Sequence, residues 1–168
     1  MLNKLKQRKQ EGFTIIEVMI VLAIAGLIMV VVFIAVPGLQ RSQRNQALDE
    51  AAQNVLTSVG EYTSNNAGNV PAVQTAAAVS GSTVTIGASG TNQSTAKFGS
   101  NTITNFSVGG TAIAATAAVG TTQVITGTTA VCNSNANGLS GTGTARSYVV
   151  LYVAESGGSG NLLKCIGS

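Results

Sequence analysis

Histidine and tryptophan are absent from this sequence of 168 residues, and only 9% of its residues are charged. Without histidine, the chain lacks the side chain that most often serves as general base or metal ligand at neutral pH. Its six acidic residues are too few and too scattered to provide the paired carboxylates of a hydrolytic site. We therefore expect a protein that is not an enzyme and that binds neither a metal nor a cofactor.

The formal net charge of +3 resides entirely in the first twelve residues. These residues contain four basic side chains and one acid: Lys4, Lys6, Arg8, Lys9 and Glu11. From Phe13 onward, five basic and five acidic side chains balance each other. A nucleic-acid surface needs several cations together on one face to neutralise phosphates. The charge distribution therefore argues against nucleic acid as a partner.

Cysteine is scarce as well, and the two residues present are Cys132 and Cys165. With no histidine in the chain and no C-x-x-C spacing, this pair is a poor metal site. In an exported domain the expected state is a disulfide, which would stabilise the fold by roughly 3–4 kcal/mol in the chain-entropy model. Two free thiols are the alternative.

A long apolar run follows the basic start of the chain. Val18–Val36 contains nineteen residues without a polar side chain. With the residues from Phe13 ahead of it, the run spans about 36 Å as a helix, enough to cross a bilayer. The basic start places the N-terminus in the cytoplasm and the C-terminal part outside. Ordinary signal-peptide cleavage after Ala25 is the alternative, but the mature chain would then begin with eleven more apolar residues, 26–36.

The junction between the basic start and the apolar run forms a specific local motif. The sequence KQEG at residues 9–12 is followed by FTIIE at residues 13–17. This junction resembles the type III signal of type IV prepilins. The resemblance implies a leader ending at Gly12, a cut by prepilin peptidase between Gly12 and Phe13, and methylation of the new amine of Phe13. It also makes Glu17 the acid that the family carries at the fifth mature position.

Glu17 needs a partner, because a bare carboxylate this close to hydrocarbon is costly unless it is paired or neutralised. We expect that partner to be the positive amine of Phe13, in the same chain or in a neighbouring one. The first turns of a helix also favour negative charge. The resemblance implies that Glu17 guides docking of the subunit into a growing filament. The alternative is an acid that merely lies among lipid headgroups.

The apolar segment departs from the family pattern near its end. Many members carry a proline near the twenty-second mature position, where this chain has Ile34, and here Pro37-Gly38 follows instead. Proline removes a helix hydrogen bond and glycine weakens the next turn. We expect a kink or a melted stretch that ends near Gly38. Residues 13–38 are thus predicted to form a transmembrane helix that later packs in the filament core.

Residues 39–66 are predicted to continue as an amphipathic helix. Apolar residues recur there at spacings of three and four: Leu48, Ala51, Ala52, Val55, Leu56, Val59 and Tyr62. The run Asn65-Asn66-Ala67-Gly68 should end the helix. Two basic residues, Arg41 and Arg44, precede the acidic pair Asp49-Glu50. These charges could meet between subunits, or they could lie on a solvated helix face.

We call residues 67–168 the head. Its Thr-, Val- and Ile-rich segments predict strands at Ser82–Ile86, Thr102–Val108, Gln123–Thr126 and Ser147–Ala154. The last of these should form an antiparallel hairpin with the segment around Cys165, which resembles the disulfide-bounded region of the pilin C-terminus. Between residues 70 and 120 the sequence is low in complexity, with a helical turn possible at 72–79. The fold class predicted is α+β: a long N-terminal helix packed on a small antiparallel sheet.

These features together indicate the precursor of a type IV pilin that forms a homo-oligomeric helical filament. The implied partners are the prepilin peptidase, the pilus assembly machinery of the cytoplasmic membrane, and the membrane itself before assembly. The implied location is a single-pass membrane precursor and then an extracellular pilus serving adhesion or twitching motility. A pseudopilin of a type II secretion system carries the same leader, although such heads commonly have acidic calcium-binding loops and this head has only Glu155. A surface-binding domain held by an uncut membrane anchor is the third hypothesis.

Overall fold

One long helix dominates the N-terminal part of the fold. The computed structural model describes residues 12–72, 79–87, 92–99, 102–158 and 160–167. Helix α1 covers Ile15–Asn65, and the chain divides into two compact units between Gln40 and Arg41. The apolar and amphipathic segments predicted to be helical therefore form one continuous helix.

Pro37 lies inside α1 without ending it. Both Pro37 and Gly38 have helical backbone, so the expectation of a melted stretch near Gly38 is wrong. Proline removes one helix hydrogen bond and crowds the preceding turn, but it does not interrupt α1, whose backbone is helical from Ile15 to Asn65. A bend of the helix at this point stays a prediction.

The second half of α1 buries the apolar stripe predicted from the sequence. Its buried residues are Leu48, Ala51, Ala52, Val55, Ser58, Val59 and Tyr62, while Leu56 is partly buried. The helix ends at Asn65, where the N–H of Gly68 donates a hydrogen bond of 2.8 Å to the carbonyl of Thr63. Ala67 and Gly68 both have positive φ, of 56° and 81°, which turns the chain away from the helix axis.

Within the described residues, seven strands form two sheets. Strands β1 (Val79–Ser80), β2 (Thr83–Ile86) and β3 (Ser94–Lys97) form an antiparallel sheet in the order β1-β2-β3. The second sheet has the order β4-β5-β6-β7, and its strands are β4 (Asn105–Val108), β5 (Thr121–Thr126), β6 (Tyr148–Glu155) and β7 (Asn161–Gly167). In this sheet β4 and β5 run parallel, whereas the other neighbours are antiparallel.

The strand predictions succeed where apolar residues cluster. The C-terminal hairpin is confirmed as β6 and β7, in which Leu151 pairs with Cys165. The predicted α+β fold with its small, mainly antiparallel sheet is confirmed. The β4–β5 pair is parallel, because residues 109–120 carry the chain back to the edge of the sheet at which β4 begins. Strand β3 was not predicted. Most of the helical turn expected at 72–79 falls outside the described residues, and Val79 belongs to β1.

The four-stranded sheet carries apolar side chains on both faces. One face packs against α1, where Val55 and Val59 meet Val124 and Val150 in a single buried cluster. This helix-facing layer also takes in residues of the smaller sheet, such as Val84. Residues 149–154 of β6 are buried throughout, which is typical of a strand covered on both faces.

The opposite face of the same sheet is covered by an outer layer of loop residues. Ile125 and Leu151 pack there with Ala130, and Leu139 is partly buried against them. A disulfide joins Cys132 to Cys165 of β7, with 5.6 Å between the two Cα atoms. This bond attaches the segment between β5 and β6 to the last strand.

Gln123 fixes a second covering loop on the outer face. Its side-chain oxygen accepts a hydrogen bond of 2.9 Å from the N–H of Ile113, and its amide nitrogen donates to the carbonyls of Gly109 and Thr111. Gln123 is only 3% exposed. A buried amide is stable in the sheet because these backbone groups satisfy it.

Candidate processing and assembly site

The residues at the predicted cleavage junction lie outside the helix. Gly12, Phe13 and Thr14 have no helical backbone, and α1 begins at Ile15. Phe13 is 89% exposed, and an added Cβ at Gly12 would meet no atom within 4 Å. The peptide bond between Gly12 and Phe13 is therefore accessible in this conformation.

The carboxylate of Glu17 is bound by Thr14. Its Oε2 atom accepts hydrogen bonds from the backbone N–H of Thr14 at 3.0 Å and from the hydroxyl of Thr14 at 2.9 Å. The N–H of Glu17 in turn approaches the Thr14 hydroxyl at 3.3 Å. This reciprocal arrangement is a capping box, which satisfies backbone donors that the first turn of a helix leaves without partners. In the uncut chain the nitrogen of Phe13 belongs to a peptide bond, so the positive amine expected as partner of Glu17 does not yet exist.

Sequence reasoning missed the role of Thr14. The signal was nevertheless present, because Thr14 and Glu17 stand in the T-x-x-E spacing of a capping box directly before an apolar run. From this motif, we derived a role for Glu17 and none for Thr14. The structure adds that Thr14 and Glu17 bind each other in the uncut chain.

A broad apolar surface follows this junction. The large apolar side chains from Phe13, just before α1, to Leu39 within it are exposed, from 39% at Val36 to 89% at Phe13. The helix contains a window of mean hydropathy 3.2, and by length and composition it is long and apolar enough to cross a membrane. Exposed apolar area of this extent is uncommon on a soluble monomer and marks a surface that is covered by lipid or by another protein.

Arg44 and Asn45 of α1 bind the end of β6. The guanidinium of Arg44 donates hydrogen bonds of 2.7 and 2.8 Å to the two carboxylate oxygens of Glu155. The side-chain amide of Asn45 donates to the carbonyl of Glu155 and accepts from its N–H, both at 2.9 Å. The hydrogen bonds from Arg44 lower the pKa of the Glu155 carboxyl. The last residue of β6 is thus held through its backbone and its side chain.

Asp49 of α1 binds β6 and β7 together. It accepts a hydrogen bond of 2.7 Å from the hydroxyl of Tyr152, and the ammonium of Lys164 lies 3.1 Å from the same oxygen. Burial, and next the hydrogen bond to Asp49, raises the pKa of the Tyr152 hydroxyl. Of the four helix charges considered above, Arg44 and Asp49 thus have partners within the chain. Contacts of Arg41 and Glu50 between subunits stay a prediction.

The described part of the chain offers no candidate metal site. Within it, no group of three or more His, Cys, Asp or Glu side chains is placed to hold a metal ion.

A long apolar N-terminal helix whose second half packs on β-sheets is a pilin-like α+β arrangement. Residues 7–33 match the family described as the prokaryotic N-terminal methylation motif. No curated protein and no solved structure gives a significant match to the chain. The chain thus carries a type IV prepilin-like signal. This motif supports a pilin-like or pseudopilin subunit, a structural role, and implies processing by a prepilin peptidase.

Proposed function

We propose that this chain is the precursor of a type IV pilus subunit. It enters the cytoplasmic membrane with its N-terminus inside and its head outside, is cut between Gly12 and Phe13, and is methylated on Phe13. The assembly machinery then extracts it into an extracellular helical filament of identical subunits. Filaments of this family serve adhesion and twitching motility, and in some cases DNA uptake.

The match at residues 7–33 carries the proposal, because it brackets the Gly12–Phe13 bond and Glu17. The exposed apolar surface of α1 supports it independently. Such a surface is stable in lipid while the precursor waits in the membrane, and it needs a replacement for lipid once the subunit leaves. The corresponding helices of other copies provide that replacement, since they present the same apolar side chains.

The charge of Glu17 would fix how one subunit docks against the next in the filament. Cleavage turns the nitrogen of Phe13 into a positive amine, and a carboxylate inside an apolar fibre core needs such a charge nearby. The amine of a neighbouring subunit can provide it. Glu17→Ala should reduce filament abundance while leaving cleavage largely intact, because the Thr14 hydroxyl can still cap the N–H of residue 17. Gln53→Ala removes an exposed, uncharged polar side chain of the same helix and serves as control. Normal filament abundance in Glu17→Ala would contradict the docking role.

A pseudopilin carries the same signal, and the composition of the head favours a pilus subunit instead. The head contains one acidic residue, Glu155. Its carboxylate is already bound by Arg44 at 2.7 Å, so it is poorly suited to a calcium-binding loop, which requires several oxygen ligands. Fibres recovered from the cell surface at native expression would support the pilus, whereas protein confined to the periplasm would support the pseudopilin.

The decisive experiment is mass spectrometry of material sheared from the cell surface. The expected chain begins at methylated Phe13 and is two hydrogens lighter than the reduced protein, because Cys132 and Cys165 are joined. A chain that still begins at Met1 and occurs only in the membrane would replace the proposal with an uncut anchored domain.

A further inference from the structure

The capping box of Thr14 and Glu17 fixes where α1 begins. Thr14 occupies the position immediately before the helix, and the first intrahelical hydrogen bond runs from the N–H of Val18 to the carbonyl of Thr14 at 3.3 Å. Both reciprocal bonds of the box are formed. A residue that caps a helix in this way stabilises one particular start over starts one turn earlier or later.

The position of that start matters for the bond between Gly12 and Phe13. In a helix, backbone N–H and C=O groups are engaged with residues four positions away, and the backbone is coiled. A protease needs access to the backbone of the bond that it cuts. With the helix starting at Ile15, the Gly12–Phe13 bond keeps a non-helical, exposed backbone.

Without the cap, extending the helix toward the N-terminus would lower the free energy of its first turn. Backbone donors at an apolar helix end are costly when they lack partners, and near lipid they cannot all be satisfied by water. One more turn of helix moves these donors toward the aqueous side. That turn comprises residues 11–14, in which Glu11 favours helix and Gly12 opposes it, so Gly12 and the cap together restrain the extension. The extra turn would incorporate the bond to be cut.

We propose that Thr14 is a positioning residue for leader cleavage, which holds the helix start downstream of the Gly12–Phe13 bond so that this bond stays accessible. The inference rests on the proposed cleavage between Gly12 and Phe13. It assigns to Thr14 a role before cleavage that is separate from the role of Glu17 in assembly.

Four variants of the full-length precursor in membranes test this role. Thr14→Ser and Thr14→Asn keep a side chain that caps helices well, whereas Thr14→Val and Thr14→Ala remove the capping oxygen. With a prepilin peptidase added, the Val and Ala variants should be cut about fivefold more slowly, which corresponds to the typical free energy of a cap. The Ser and Asn variants should restore cleavage to within about twofold of the original rate.

The choice of variants separates capping from direct recognition of the side chain by the peptidase. Valine has nearly the shape of threonine and asparagine does not, so a peptidase that reads shape would prefer Val over Asn. Backbone chemical shifts of the precursor in micelles provide a second measurement. They should show helical structure at residues 12–14 in the Val variant but not in the Ser variant.

The outcomes distinguish this inference from the proposed function. If the original precursor is not cut between Gly12 and Phe13, the proposed function fails and the inference fails with it. If the original precursor is cut there and the Val and Ala variants are cut as fast as the Ser variant, only the role of Thr14 is overturned. An unchanged helix start in the Val variant would overturn it as well.

Discussion

Loss of the disulfide between Cys132 and Cys165 should destabilise the head by about 4 kcal/mol at 25 °C. The bond joins residues 33 positions apart, and the chain-entropy relation for a loop of this length gives that value. Apart from one isolated bridge between Cys132 and Leu139, residues 127–147 contain no strand. The cross-link is therefore the strongest restraint on the segment that covers the outer face of the sheet.

Urea unfolding of the full chain in detergent measures this effect, with tyrosine fluorescence as the signal because tryptophan is absent. The oxidised protein is compared with the reduced protein and with the double variant Cys132→Ala/Cys165→Ala. Ser134→Ala, an exposed change in the same loop, is the control and should leave stability unchanged. Reduction should also expose residues 127–147 to limited proteolysis before the rest of the head.

A loss below about 1 kcal/mol on reduction would refute the reasoning, because loop closure could not then be the main contribution. A large loss in the double alanine variant alone would assign the stability to packing of the sulfur atoms instead. Cys165 is only 3% exposed and packs beside Ile125 and Leu151, so the comparison of the two forms is necessary.

Three further predictions concern the head. Thr122 has a buried hydroxyl for which the described residues provide no hydrogen-bond partner, so Thr122→Val should stabilise the fold by about 1 kcal/mol in urea unfolding, and destabilisation would contradict this. Gly120 has a φ of 85° and lies so close to a backbone oxygen that an added Cβ would be 2.8 Å from it. Gly120→Ala should therefore cost about 2 kcal/mol, whereas Gly157→Ala, with open space around it, should change little. Arg44 holds the pKa of Glu155 below its ordinary value of 4.5, so the pair stabilises the fold above that pH and this contribution is lost as the pH falls through the lowered pKa. Urea midpoints measured across the acidic range should show the loss, and an equally steep loss in Glu155→Gln would assign it to other groups.

The sequence predicted well those elements whose periodicity is set by burial. The stripe from Leu48 to Tyr62 could be read at helical spacing because the structure buries one face of the helix. Strand β6 could be read as a continuous apolar run because both of its faces are covered. In both cases the order of apolar residues in the sequence follows directly from which side chains are buried.

Elements that depend on distant partners were not predictable in the same way. Strand β3 has the sequence Ser-Thr-Ala-Lys, which lacks an apolar alternation, and its pairing with β2 defines it. The parallel pairing of β4 with β5 depends on the path of the connection between them, which composition does not specify. The hydrogen bonds between Asn45 and the backbone of Glu155 join residues 110 positions apart. No local sequence motif predicts them.

The partner of Glu17 illustrates a different difficulty. Its acid chemistry was recognised, but the partner expected was the amine that exists only after cleavage. In the uncut chain the neighbouring Thr14 binds the carboxylate. Two successive states of one molecule therefore call for two different partners of the same side chain.

The four-stranded sheet acts as a partition between two independently variable halves of the head. Val124 and Val150 point to the helix, whereas Ile125 and Leu151, one residue along in each strand, point to the loops. Substitutions or grafted sequences within residues 133–143 would change contacts on the loop-facing side of the sheet and leave those on the helix-facing side unchanged. The outer face could thus be redesigned, for display of a foreign peptide for example, without refitting the contacts between α1 and the sheet.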